Sequence, residues 1–390
     1  MATLAIALFA ACTRLETGNP TSVALGDGGT GGEGTGDPGS LAGDGGAGLA
    51  GEHSSGGATP SGIELSLWPT FRADPEQSRD AQSVLARVAA LSIGATTLTL
   101  AERWDELSGA TGSPRAVTWS RLESMVKPYR ERNGNVALCI NVVDRTQPAW
   151  PGGAEAANLD VEPARLAMHS TIDEVYKRYA QQLSHLCFGY EVDRYLATVD
   201  GDAASQFLDL LSDAVSYAQR TRPPTAPVKV GVAVTLGALT DADVAKAPWL
   251  LGDEAVGVYD PLQAGALKPP PSGAEEIDSA LGVLGAVSLP LALWEVGYPS
   301  SAGSTEKRQQ QYYEDLLTLI DARREQLSFV SLYGLDDRAA SDCDAEAARF
   351  GDEAAAVPLR SQVRCSMGLR ADGVPKLAWP SALSALSRYR

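Results

Sequence analysis

Two glutamates end apolar runs in this sequence: Glu191 closes "HLCFGYE" and Glu295 closes "LPLALWEV". A buried carboxylate costs several kcal/mol, on the order of what one hydrogen-bond network returns, unless it is paired or solvated. Each glutamate is therefore expected at a polar cavity. Two carboxylates that face each other across a cavity can hydrolyse a glycosidic bond. One stays protonated and gives its proton to the leaving oxygen, and the other is ionised and attacks the anomeric carbon. Repulsion and partial burial drive the two pKa values apart and assign the roles. Trp68, Trp104, Tyr259, Tyr298 and Tyr333 stand near the ends of other apolar runs, where rings can stack on sugars. Arg103, Asp144, Tyr190 and Asp193 are the polar groups expected to bind substrate there.

Those residues need elements to carry them. From Ser61 onward apolar runs alternate with helical patterns. The runs are "GIELSLW", "GATTLTL", "NVALCINVV", "HLCFGYE", "VKVGVAVTL", "AVGVY", "LPLALWEV" and "FVSLYGL". Continuous apolar strands are expected where both faces are covered. Strict alternation with helices argues a parallel α/β fold. Eight units over 61–390 predict a (β/α)8 TIM barrel, whose active site lies at the C-terminal ends of the strands. The rival fold is an open doubly wound sheet, but no Gly-rich phosphate loop follows any strand.

"GYEVDRYL" (Gly189 to Leu196) and "LWEVGYPSS" (Leu293 to Ser301), with "AVGVYDPL" between them, resemble the barrel strands of clan A retaining glycoside hydrolases. "SMGLRADGVPKLAW" is similar to the segment that enters the last helix in many such enzymes. The resemblance implies that Glu191 is the acid/base, at the end of strand four, and Glu295 the nucleophile, at the end of strand seven. Tyr259, at the end of strand six, is expected to hydrogen-bond the nucleophile. The clan usually has Asn before the acid/base; here that residue is Tyr190. Loss of that amide weakens transition-state binding. A catalytically inactive barrel that binds glycan or serves as a surface scaffold is therefore the alternative expectation.

The ends of the chain and its bulk composition complete the reading. "MATLAIALFAAC" is apolar from Ala2 to Ala11, too short to span a bilayer, and ends at Cys12. Phe9-Ala10-Ala11-Cys12 resembles a bacterial lipoprotein box, which makes Cys12 the expected lipidation site and 1–12 a signal segment. Sixteen of the 39 glycines fall between Gly18 and Gly57, so 13–60 reads as a disordered Gly-rich linker. The expected location is extracytoplasmic, either in the cell envelope or secreted, with a lipid anchor as the only membrane contact. Cys343 and Cys365 lie in a polar, loop-like stretch and can pair in an oxidising compartment. Cys139 and Cys187 sit inside apolar strands and read as small buried hydrophobes. No cysteine or histidine has metal-ligand spacing, and neither a metal nor a cofactor is expected. His53, His169 and His185 do not read as catalytic. The net charge of −17 carries no basic cluster, which sets nucleic acid aside. The expected partner is a polysaccharide or oligosaccharide, met by a monomer.

Overall fold

The computed structural model describes residues 63–71, 78–109, 111–151, 162–241, 251–263, 265–350 and 354–389. Cys12, the 13–60 spacer, His53 and the short helix expected over 242–250 lie outside the described residues. Eight strands form the core of the fold: β1 (Glu64–Leu67), β2 (Thr97–Arg103), β3 (Asn135–Asp144), β4 (Leu183–Tyr190), β5 (Lys229–Thr235), β6 (Glu254–Val258), β7 (Leu291–Val296) and β8 (Leu327–Leu332). Each pairs in parallel with its neighbours in chain order, and β8 pairs back onto β1. The sheet is closed, so this is a (β/α)8 TIM barrel.

The helices outside are α1 (Arg79–Ser92), α2 (Ala116–Arg130), α3 (Glu162–Tyr179), α4 (Gly201–Thr221), α5 (Pro270–Gly285) and α6 (Glu306–Arg323). After β8 come α7 (Ala340–Ala347), α8 (Val357–Cys365) and α9 (Trp379–Arg388). Their starts follow capping chemistry. Ser78, Asp200 and Thr305 accept a backbone N–H three residues on, at the heads of α1, α4 and α6. In α4 the buried residues Phe207, Leu208, Leu211, Ala214, Val215 and Ala218 recur at helical spacing and face the sheet. The stretch holding Cys343 and Cys365, expected as loop, is helical in α7 and α8, and a disulfide joins the two helices with Cα atoms 5.8 Å apart.

The interior is packed from alternate positions of the strands. Small residues on one side (Ala137, Ala233, Ala292) make room for Trp294 and Phe329, whose rings stand 5.5 Å apart. Cys139 and Cys187 occupy the same layer. They are register partners on β3 and β4 and are joined by a disulfide, with Cα atoms 4.4 Å apart. This corrects the expectation of two separate small hydrophobes. Their parity puts both in the lumen, and the pairing of β3 with β4 puts them side by side.

At the N-terminal end of the barrel, His185 is buried between two carboxylates. Its Nδ1 lies 2.7 Å from Glu254 and its Nε2 lies 3.2 Å from Glu64. Burial opposes a charged imidazole, but Glu254 and Glu64 outweigh it and raise His185 from 6.5 to about 9. Burial also opposes charge on Glu64, yet His185, Thr97 and Asn135 together lower it from 4.5 to about 2. The histidine's contribution to stability is whole below pH 6.5 and is lost as pH rises through about 9. The contribution of Glu64 is whole above pH 4.5 and is lost as pH falls through about 2. Urea unfolding should show a plateau between these limits and a decline above pH 7. His185→Gln should cost about 3 kcal/mol near neutral pH and flatten that alkaline decline. An unchanged alkaline limb in the variant would mean that His185 does not set the pH dependence.

Candidate active site at the barrel mouth

Glu295 is the last polar residue of β7, and a bulge brings it to the mouth. The register of β7 against both β6 and β8 shifts after Leu293. Ala292 and Trp294 face the lumen, so simple alternation would turn Glu295 outward. The bulge re-aims it, as bulges near active sites do. Glu295 thus lines a cavity of about 350 Å³ at the C-terminal ends of the strands. Its carboxyl is nevertheless buried, at 1% exposure. Arg364 pairs with Oε1, and the Tyr190 hydroxyl donates to Oε2.

Five of the residues expected at the site join Glu295 around that cavity: Trp68, Arg103, Asp144, Tyr190 and Tyr333. Trp68 lies against Tyr333 at 5.8 Å between ring centres. Arg103 is held by both oxygens of Asp105, and Asp144 by Arg145 and Arg349. The hydroxyl expected from Tyr259 on Glu295 comes from Tyr190 instead. Burial pushes the Tyr190 phenol well above its ordinary value, and Glu295 adds to the effect. Tyr190 is therefore a donor to this carboxylate and stays protonated.

Four other expected substrate residues do not line the cavity. Trp104 is buried in the helical layer, its indole N–H donating to Thr171. Asp193 caps the turn after β5 by accepting from the Thr235 N–H and hydroxyl. Tyr259 and Tyr298 are fully buried and stack on Tyr312 of α6, at 5.4 and 5.3 Å. Packing, not sugar, occupies these rings.

Glu191 also stands off the cavity wall. Its backbone is left-handed, with φ +55°, and it opens the short helix Val192–Leu196. Few side chains other than Gly, Asn and Asp adopt that conformation. Its carboxyl is paired with Arg194 on Oε2 and lies 3.5 Å from Arg145 Nε on Oε1. Burial pushes the Glu191 carboxyl up even against Arg194 and Arg145.

Several of the residues that the sequence reading did not single out come from α7, α8 and their flanks. Arg338, Glu346, Arg349 and Arg364 reach down over the mouth. Burial alone would raise Glu346, but Arg364, Arg145 and Arg338 hold its carboxyl well below the carboxylate range. Glu191, Arg145, Glu346, Arg364 and Glu295 thus form one chain of alternating charge. Phe350 packs beside it with the guanidinium groups of Arg145 and Arg360 each 4.0 Å from its ring centre. Among the described residues no group of side chains has the make-up of a metal site. Asp336 and Asp337, which follow β8, are bound to Arg370 and Lys376.

No family model and no curated protein matches this chain. Solved structures do. It is similar to an exo-β-1,4-mannosidase from Opitutaceae bacterium strain TAV5, with 13% identity and a TM-score of 0.61, over 84% of this chain and 59% of that one. A GH5_18 protein from Streptomyces cattleya in complex with GlcNAc gives 13% identity and a TM-score of 0.60, over 84% and 80% of the two chains. A family 39 glycoside hydrolase from Bacteroides cellulosilyticus WH2 gives 12% identity and a TM-score of 0.52, over 84% and 64%. At these identities the likeness is one of fold. The chain spans less than two thirds of the length of the mannosidase.

The ion-pair chain makes a prediction independent of any substrate. Removing one partner of a buried pair leaves the other uncompensated. Arg364→Met should therefore destabilise the fold by about 3–5 kcal/mol in urea unfolding. Arg364→Lys, which keeps the charge, should lose distinctly less. Equal losses in the two variants would mean that packing, not charge, is what Arg364 supplies.

Proposed function

We propose that this chain is a retaining glycoside hydrolase held outside the cytoplasm by a lipid on Cys12. Glu295 is the nucleophile and Glu191 the acid/base. The observation that carries the reading is Glu295 itself: a glutamate that a bulge turns into the mouth cavity of a TIM barrel, with Arg364 and Tyr190 on its two oxygens. Those two contacts fix the orientation of the carboxylate. Glu295 would attack the anomeric carbon while the bond to the leaving oxygen breaks and Glu191 gives that oxygen its proton. Water, losing a proton to Glu191, would then break the glycosyl ester. The upward push of burial on Glu191 favours the protonated form that this first step needs. Arg145 lines the cavity with its Nε 3.5 Å from Glu191, and it would have to swing aside for the transfer. Among the similar structures are a mannosidase and a GH5_18 protein bound to Manβ1-4GlcNAc. β-Linked mannosides therefore head the list of substrates to try.

A second reading is favoured by Glu191. A left-handed turn and two arginines keep it off the cavity, which suits a barrel that binds glycan without cleaving it. Hydrolysis of aryl glycosides, mannosides and bacterial, fungal and plant polysaccharides by the full chain separates the two. Glu295→Gln should abolish turnover and Glu191→Gln should lower it by roughly 10²–10⁴-fold, the usual share of a general acid. Glycan binding with no turnover in the wild type, unchanged in Glu191→Gln, would establish the binding module instead.

A further inference from the structure

We infer that Asn141 is a sugar-binding residue of the mouth cavity, its amide meeting a ring hydroxyl as both donor and acceptor. The inference rests on the glycan reading above and holds for its catalytic and its binding form alike.

Strand parity places the side chain. On β3, Val136, Leu138, Ile140 and Val142 belong to the core between sheet and helices, while Ala137 and Cys139 belong to the lumen. Asn141 continues the lumen row one layer above Cys139, where packed interior gives way to the cavity, and it lines that cavity. In the ladder it is the register partner of Arg103.

Nothing in the fold calls for an amide at this point. Asn is disfavoured in strands, and an apolar residue would continue the layer below. The side chain is only 5% exposed, and its Oδ1 is buried with no hydrogen-bond partner among the described residues. An amide left so costs about 1–3 kcal/mol. The other strand-borne polar side chains of the wall are committed: Asp144 to two arginines, Tyr190 to Glu295, and Arg103 to Asp105. Asn141 is the exception, and it stands on the wall that Glu295 and Tyr190 share. A hydroxyl gives and takes one hydrogen bond, which matches the N–H and C=O of an amide. A pyranose offers several such hydroxyls, whereas an apolar ligand offers none.

The test is calorimetric titration of the full-length wild type, Asn141→Ala and Asn141→Asp with the best glycan from the substrate panel and with its monodeoxy analogues. Asn141→Ala should weaken binding, or raise KM with kcat little changed, by roughly ten- to a hundredfold, the effect of one buried hydrogen bond. One deoxy analogue should bind the wild type about that much more weakly and lose nothing further in Asn141→Ala. Asn141→Asp, which keeps the acceptor, should fall between. Thermal stability of Asn141→Ala should equal or exceed that of the wild type, because an unpaired amide is removed. Wild-type affinity in Asn141→Ala, or a lowered melting temperature with unchanged affinity, would overturn the inference and leave the glycan reading standing. A wild type that binds no glycan would overturn both.

Discussion

A charge withdrawn from water must find its opposite close by, and that requirement organises the mouth of this barrel. Five arginines and five acidic residues line the cavity. Glu346 alone gathers Arg145, Arg338 and Arg364. Satisfying it draws α7 and α8 down over the strand ends, and the disulfide between Cys343 and Cys365 fixes the two helices to each other. The same pairing takes Arg145 and Arg194 to Glu191 and Arg364 to Glu295. The two glutamates that end strands four and seven are therefore connected through arginines and Glu346.

The opposite end of the barrel shows what a charged cluster looks like when it serves the fold alone. There His185, Glu64 and Glu254 are closed in by Thr97, Asn135, Ser184 and Ser328, each bonded to one of the carboxylates. At the mouth the Asn141 amide oxygen has no hydrogen-bond partner among the described residues, beside a cavity. Satisfaction is complete at one end of the barrel and incomplete at the other, and buried polar groups left incomplete are the ones that need an explanation.

Much of this architecture can be read from the sequence, because strands covered on both faces must be apolar throughout, and eight such runs alternate with helices. Glu295 is legible for the same reason: it is the one charge in "LALWEV". What escapes is whatever depends on a backbone turn or a distant partner. Nothing in "GYEVDRY" announces that Glu191 takes a left-handed conformation and leaves the cavity wall. Tyr259 and Tyr298 look like platforms until Tyr312 arrives from α6 to stack on both. Arg364 and Glu346 reach the site from a polar segment with no periodicity to betray it. Two features were within reach. Asn141 breaks an apolar run at lumen-facing parity. Cys139 and Cys187 share that parity on consecutive strands, which in a barrel are neighbours.

That last pair has a consequence of its own. Both sulfurs lie inside the lumen, with neither cysteine exposed to solvent, and the strands that carry them are already hydrogen-bonded. No reductant in solution can touch the bond while the eight strands stay closed. The moment of its reduction therefore marks the parting of the barrel wall. A reductant and a thiol label applied together over time turn this bond into an internal clock for excursions of the sheet that leave helices, cavity and surface charge unaltered on average.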